Sequence, residues 1–244
     1  MSHRSVTIAT VASAGVVAYA ALVGAPAFAD TTATPTPTPT SSHAPKSLAD
    51  IQAAGAKATS DRETKLTAAI SKVTDDKYLT SSDRSTLLGT LNADLAAMKS
   101  SASTIAADTT ATQAAADLKE VYSKYRVYAV ALRQAHLVSE ADRLTGTTLP
   151  ALTKEQSNLS ALLSGKDKGK STDALQSALK DMSSQISTAS HDESGAASAA
   201  LAVTPSAYDA NHSVLSSVES SSKAAAAAVK KAHADAKEVR QALK

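Results

Sequence analysis

From Lys46 onward, apolar residues recur at intervals of three and four, the spacing that lines one face of an α-helix. The rhythm is clearest in three stretches. Leu88, Leu91, Leu95, Met98, Ala102 and Ile105 keep it through one predicted helix, which Thr80 opens with Asp83 three residues on, a variant of the capping box. Ala111, Ala114, Leu118, Val121, Tyr125, Tyr128, Leu132 and Ala135 continue it and predict a second, uninterrupted helix. The third is predicted to start at Thr204-Pro205, a favourable N-cap followed by proline at the first helical position, with Val203 and Tyr208 placed as a hydrophobic staple. Its seam reads Tyr208, Asn211, Leu215, Val218, Ser222, Ala225, Val229, Ala232, Ala236, Val239 and Leu243, which implies a single helix of about 39 residues and about 58 Å.

Shorter helical patterns cover 48–73, 149–163 and 173–189, with Lys166-Asp167-Lys168-Gly169-Lys170 as an exposed turn. Gly146 and Pro150 predict that the helix either ends or bends near Leu144, with a break the favoured reading, and Ser194-Gly195 predicts a further break. Between Val121 and Val138 a further stripe, Val127, Val130 and Leu137, lies across the helix from Tyr125, Tyr128 and Leu132. A helix apolar on two faces is covered on two sides. This segment is therefore expected at the centre of a three- or four-helix antiparallel bundle, flanked by the C-terminal helix and the Leu88 helix. On that expectation Leu132→Ala costs about 2 to 5 kcal/mol. The predicted fold class is all-α: an elongated antiparallel helical bundle with coiled-coil-like heptad seams, over residues 46–244.

Composition sharpens this picture. Of 244 residues 43% are hydrophobic, and 53 residues are alanine, so about half of the apolar content is small methyl groups. Alanine in a seam allows close helix approach but buries only about one methyl, near 0.8 kcal/mol. Cysteine and tryptophan are missing and phenylalanine occurs once, which excludes disulfides, thiolate metal sites and cysteine nucleophiles and argues against an aromatic-cored sandwich or barrel. The formal charge is only +2, so the chain is not of the highly charged disordered type.

The N-terminus has a different character. His3 and Arg4 precede an apolar run from Val6 to Val23, and Ala25-Pro26-Ala27-Phe28-Ala29 ends it with small residues at the positions a signal peptidase requires. Residues 1–29 are expected to be a signal peptide, cut after Ala29. Residues 30–45, with Thr34-Pro35-Thr36-Pro37-Thr38-Pro39-Thr40 at their centre, are expected to be a disordered Thr/Pro linker of extended polyproline II character, about 45 Å long. No apolar stretch after the cut is long enough to span a membrane, and no cell-wall sorting signal or lipid-modified cysteine is present, so attachment to an envelope is expected to be noncovalent.

Candidate chemistry is sparse. No nucleophile elbow, Ser-x-x-Lys or phosphate-binding glycine loop surrounds any serine, and an enzyme is not expected. The most unusual cluster is Tyr122, Tyr125, Arg126, Tyr128, Arg133 and His136. Arg126 and Arg133, seven apart, are expected on one helical stripe, where two guanidinium groups could receive an anionic ligand; the plainer reading has each pair with an acid of a neighbouring helix. His136 with Glu140 and Asp209 with His212 have i,i+4 and i,i+3 spacing, which metal ligands share, but capping or surface roles fit them better, and no metal or other cofactor is expected. Asp75-Asp76-Lys77 with Asp83 lacks the alternation and the glycine of a calcium loop and reads as an interhelical turn. Residues 220–244 hold six cations against two acids, so their excess of four positive charges could meet an anionic wall polymer or phospholipid. Without stacking aromatics on an exported chain, nucleic acid is not an expected partner.

Val121-Tyr122-Ser123-Lys124-Tyr125-Arg126-Val127-Tyr128, His136-Leu137-Val138 and Ala141-Asp142-Arg143-Leu144 resemble segments of secreted all-helical proteins of actinobacteria, a group with no known activity. Leu79-Thr80-Ser81-Ser82-Asp83-Arg84 and the stretch from Thr204 to Leu215, which includes His212, resemble the same group. The resemblance implies an exported helical protein of a Gram-positive envelope and carries no activity across. The expected function is an exported, non-catalytic helical spacer or interaction module, with another protein or a second copy as partner through its seams. The alternative is a binding protein for an anionic ligand or wall polymer through Arg126 and Arg133 or through the basic C-terminal helix.

Overall fold

A computed structural model describes residues 46–244; the expected signal peptide and Thr/Pro linker lie outside the described residues. Among the described residues every regular element is helical. The α-helices are α1 (Leu48–Asp75), α2 (Ser81–Ala107), α3 (Ala111–Ser123), α4 (Ala131–Arg143), α5 (Leu149–Ser164), α6 (Asp173–Glu193), α7 (Ala196–Leu201), α8 (Pro205–Ala210) and α9 (Val214–Ala242). No helix among them is long and apolar enough to cross a membrane.

Side-chain oxygens start most of the longer helices, supplying acceptors to amides that have no partner within the helix. Ser47 and Asp50 form a reciprocal capping box on α1. Thr80, Thr110 and Thr172 cap α2, α3 and α6 by accepting from the amides of Asp83, Gln113 and Leu175. The α1–α2 connection is the interhelical turn expected at Asp76: its carboxylate accepts from the Tyr78 amide at 2.9 Å and from the Ser139 hydroxyl of α4, while Arg84 donates to its carbonyl. At the far end of the same pair, the Gln52 amide of α1 donates to the carbonyls of Ile105, Ala106 and Asp108, closing the C-terminus of α2. Gly55 lets the two backbones approach, because a Cβ there would lie 2.6 Å from Ile105 Cγ2.

The buried apolar side chains fall into two clusters. The first joins Ile51, Leu66 and Val73 of α1, Leu87, Leu91, Met98 and Ile105 of α2, Val121 of α3, Leu137 and Val138 of α4, Ala196 and Ala200 of α7, and Leu215 and Val218 of α9. The second joins Leu149, Leu152, Leu159 and Leu163 of α5, Leu175, Leu179 and Met182 of α6, and Ala225, Ala228, Val229, Ala232, Ala236 and Val239 of α9. Helix α9 thus belongs to both, and its expected seam is buried from Leu215 to Val239 except at Ser222. Ser222 sits where one cluster gives way to the other and donates to the carboxylate of Glu193, the last residue of α6, at 3.0 Å. Glu193 is only 1% exposed, its other oxygen has no hydrogen-bond partner among the described residues, and burial pushes its carboxyl pKa up.

Three sequence expectations are corrected. The helix predicted to run unbroken from Pro205 stops at Ala210, and the chain turns through Asn211, His212 and Ser213 before α9, which has 29 residues. That makes α9 about 44 Å long rather than 58. The Asn211 carboxamide oxygen accepts from the Ser213 amide and hydroxyl, a local turn of the kind that Asn and Ser offer in competition with a helix. The polar seam position Asn211 had nothing to bury.

The break expected near Leu144 is instead a π-helical turn, Leu144–Thr148, that carries α4 into α5 without interruption. Pro150 has no amide and its ring would press on the carbonyl of Gly146. Widening the turn moves that carbonyl aside, and the Leu149 amide bonds to Leu144 instead. Thr145 and Thr148 donate to the carbonyls of Ala141 and Arg143 within the widened stretch.

The third correction concerns the predicted central helix, Val121 to Val138, which is not one helix. α3 ends at Ser123, and turns occupy Lys124 to Val130 before α4 begins. Two apolar stripes on opposite faces could not both reach the first cluster from a straight helix. Breaking the chain buries Val127 and Val130 at 1% and 2% exposure, while Tyr122 and Tyr128 turn outward at 47% and 43%. α4 nevertheless contacts both α2 and α9, the two neighbours expected for it, together with α1 and α7.

Candidate functional site

The break between α3 and α4 determines where the unusual residues go. Tyr122 and Tyr128 meet Arg62 of α1, whose guanidinium carbon lies 4.5 Å and 5.1 Å from their ring centroids. Arg62 is buried at 8% exposure, donates from Nη1 to the Ala58 carbonyl at 2.9 Å, and leaves Nε without a hydrogen-bond acceptor among the described residues. The π faces of two tyrosines replace part of the solvation that burial removes. Tyr125 is half-buried against the first cluster, and the Lys124 ammonium lies 5.7 Å from its ring centroid.

Arg126 stands in the turn, at φ +47°, the one non-glycine residue with left-handed backbone among the described residues. Such a conformation costs a side-chain-bearing residue about 1 kcal/mol. The turn is held by the Val130 amide bonding to the Arg126 carbonyl at 2.7 Å and the Leu132 amide to that of Val127 at 3.0 Å. The side chain of Arg126 then reaches α8, where Nε and Nη2 donate to Asp209 Oδ1 at 2.7 and 2.6 Å. Arg133, in the first turn of α4, donates from Nε and Nη2 to Glu219 Oε1 of α9 at 2.9 and 2.7 Å. The expectation that both arginines share one helical stripe is therefore overturned, because the backbone between them is not helical; the reading in which each pairs with an acid of another element holds. Both pairs are partly exposed, which limits each to about 0 to 1 kcal/mol. Their main effect is geometric, fixing α8 to the turn and α4 to α9.

The histidines lie apart from these pairs. His136 is exposed on α4; its i+4 neighbour Glu140 accepts from Arg143 at 2.7 Å. His212 is exposed in the turn after α8, its ring tilted 57° against Tyr208 with centroids 4.9 Å apart. Asp209 is engaged by Arg126. No group of three or more His, Asp or Glu side chains among the described residues is arranged to hold a metal ion.

Several side chains that the sequence did not single out tie elements together. Gln134 is buried and donates to the carbonyls of Ala200 and Val203 at 2.8 and 2.6 Å, which closes the end of α7 against α4. Asp142 is buried too and accepts from the Thr80 amide at 2.7 Å; burial holds its carboxyl above the usual range despite that bond. In heptad terms both were polar residues of an amphipathic helix; the end of α7 meets Gln134, and the start of α2 meets Asp142.

No family model matches the chain, and comparison with curated proteins and with solved structures found no similar protein.

Proposed function

We propose that the chain is an exported, non-catalytic helical spacer or interaction module of a cell envelope, an elongated antiparallel bundle whose heptad seams hold its helices in line. The observation that carries this reading is α9, a helix of about 44 Å that supplies Leu215 and Val218 to one hydrophobic cluster and Ala225 to Val239 to the next. One continuous strut through two successive cores resists bending between them. Arg126, Arg133 and Arg240, which could otherwise receive a ligand, are spent on acids of other elements, Asp209, Glu219 and Glu155.

Export and placement are tested together by fractionating cells that make the chain and sequencing the recovered N-terminus. A mature chain starting at Asp30, found in the envelope or the medium, is the expected result. Full-length chain beginning at Met1 or Ser2 in the cytoplasm would overturn it.

The second reading is recognition of an anionic ligand or wall polymer through either the Arg126/Arg133 face or the basic C-terminal helix. Lys223, Lys230, Lys231 and Lys237 of α9, exposed and without an ion pair among the described residues, favour the helix, because the two arginines already have carboxylate partners. Binding of this kind weakens steeply as the Debye length contracts from about 10 Å at 0.1 M salt to about 3 Å at 1 M. Retention on isolated envelopes that is unchanged across that range would exclude it.

A further inference from the structure

α1 and α4 leave a groove between them of about 360 Å³, within the size range of small-molecule sites. Its floor is apolar: Ala69, Val73 and Ala135 are buried, and Leu132 is partly so. Along one side run Lys65 and Lys72 of α1, two helical turns apart, about 10.5 Å. On the other stands His136 of α4, whose side chain makes no hydrogen bond or ion pair among the described residues. Both lysines are exposed and neither belongs to an ion pair among the described residues, in contrast to Lys57 on the same helix, which pairs with Asp61 at 2.9 Å. Lysines beside an apolar groove lay their methylene stems along it and keep the ammonium in water at its mouth.

One acid enters the lining, Asp76, and its place is informative. Burial pushes its carboxyl pKa up, but hydrogen bonds from the Ser139 hydroxyl and from the amides of Tyr78 and Leu79, with the charge of Arg84, outweigh that and leave it below the usual range. Asp76 is thus a fixed negative charge at one end of the groove, four residues beyond Lys72 and eleven beyond Lys65. An anion is repelled from that end and favoured toward Lys65. An apolar body would lie on the alanine, valine and leucine floor.

We propose that this groove binds a small anionic amphiphile, a carboxylate or phosphate head on a short apolar body, with the head at Lys65, away from Asp76, and the body on Ala69, Val73, Leu132 and Ala135. The site is separate from the paired arginines and from the basic end of α9, and it stands whether or not the chain is a spacer.

Calorimetric titration of the purified chain with octanoate and octyl phosphate tests it, with 1-octanol and octylammonium as controls. Both anions are expected to bind at a single site more tightly than octanol, and octylammonium not at all; the tighter of the two identifies the head group as carboxylate or phosphate. Lys65→Glu is expected to weaken the preferred anion about tenfold and Lys72→Glu, next to Asp76, about threefold. Ala68→Trp, an exposed lining position from which an indole can fill the groove, is expected to abolish binding while leaving the helical signal intact. Equal binding of octanol or octylammonium, an affinity unchanged by Lys65→Glu or Ala68→Trp, or no binding of either anion at millimolar concentration would each overturn the proposal.

Discussion

The two hydrophobic clusters solve the same problem with different means. In the second, α5, α6 and α9 bury leucines, one methionine and small residues at regular spacing, and the seam of α9 there is mostly alanine. Its helices need no side chain to explain their course beyond the heptad pattern. The first is assembled from α1 to α4, α7 and the start of α9, with a left-handed turn at Arg126 and buried polar side chains at Thr59, Arg62, Gln134 and Asp142. Regular packing tolerates small residues because backbones can close on one another. Irregular packing needs large side chains to fill the angles, and hydrogen-bonding side chains to satisfy the backbone that the angles expose.

The largest effect separating the two follows from that contrast. Leu91→Ala, at 1% exposure in the middle of α2, removes a large side chain that the first cluster cannot close over and is expected to cost about 2 to 5 kcal/mol. Leu132→Ala, which the sequence singled out for a cost of that size, should cost less, because Leu132 is only partly buried at the edge of the first cluster. Tyr125 packs against the first cluster, Tyr122 and Tyr128 lie over Arg62 of α1, and no tyrosine belongs to the second cluster among the described residues, whereas helical circular dichroism reports both. If α9 couples the clusters, thermal melts of Leu91→Ala followed by tyrosine absorbance and by circular dichroism fall together. A tyrosine transition that moves alone would show that the clusters unfold separately.

The second cluster should fail in the opposite way. Ala232 of α9 is fully buried in the seam, so Ala232→Leu inserts volume where backbones are close and is expected to cost about 1 to 3 kcal/mol. Ala232→Gly, by contrast, loses mainly helix propensity, about 1 kcal/mol. A leucine that stabilised the protein would mean the α6–α9 seam is not close-packed, and urea melts of the two variants distinguish these outcomes.

How much of this was readable beforehand tracks the same division. The period alone placed the buried face of α9 from Leu215 to Val239, and α1, α5 and α6 began where their patterns began. It did so because each of those helices has one apolar stripe and one neighbour set to cover it. Around Val127 two stripes competed, and periodicity carries no information on which is given up; the tyrosines went outward because Arg62 was there to receive them, a contact 60 residues away in sequence. Short helices such as α7 and α8 are below the length at which a period is visible. Of the candidate site, the acid partners of Arg126 and Arg133 were foreseeable as a class. Their identities, Asp209 and Glu219, depend on the register between elements that only the folded chain supplies. The groove over Leu132 and His136 is likewise a product of how α1 meets α4.

A smaller effect probes a close backbone approach within the first cluster, between α1 and α2 at Gly55. At Gly55→Ala the new methyl would sit 2.6 Å from Ile105 Cγ2, a contact that a β-branched side chain with one preferred rotamer in a helix cannot easily relieve. Alanine also gains about 1 kcal/mol of helix propensity over glycine, so the net cost is expected to be about 1 kcal/mol rather than the 1 to 3 typical of overpacking. Ile105→Ala in the same chain should remove the clash, so that the double variant is more stable than the sum of the two single changes. Strict additivity in denaturant melts would show that the two backbones already have room to part.

The smallest effect is electrostatic and sets α2 against itself. Asp94 lies half-buried on the helix that carries Leu91 and Met98, and burial pushes its carboxyl pKa up to about 6 from 3.8. Because the folded value is the higher one, the proton is held more tightly in the folded state; this stabilisation is complete below the unfolded value near 3.8 and is lost as pH rises through about 6. The folded protein should therefore gain stability on acidification from pH 7 toward pH 4, with Glu193 and Asp142 acting in the same direction through their own raised values. Asp94→Asn abolishes the ionised form, and after discounting for solvent screening it is expected to stabilise the chain at pH 7 by about 1 kcal/mol and to change little at pH 4. Melts at the two pH values measure the difference directly. An equal shift at both would assign the effect to packing or helix propensity, and the acid on α2 would then be as well solvated as those on the outer faces of the alanine seam.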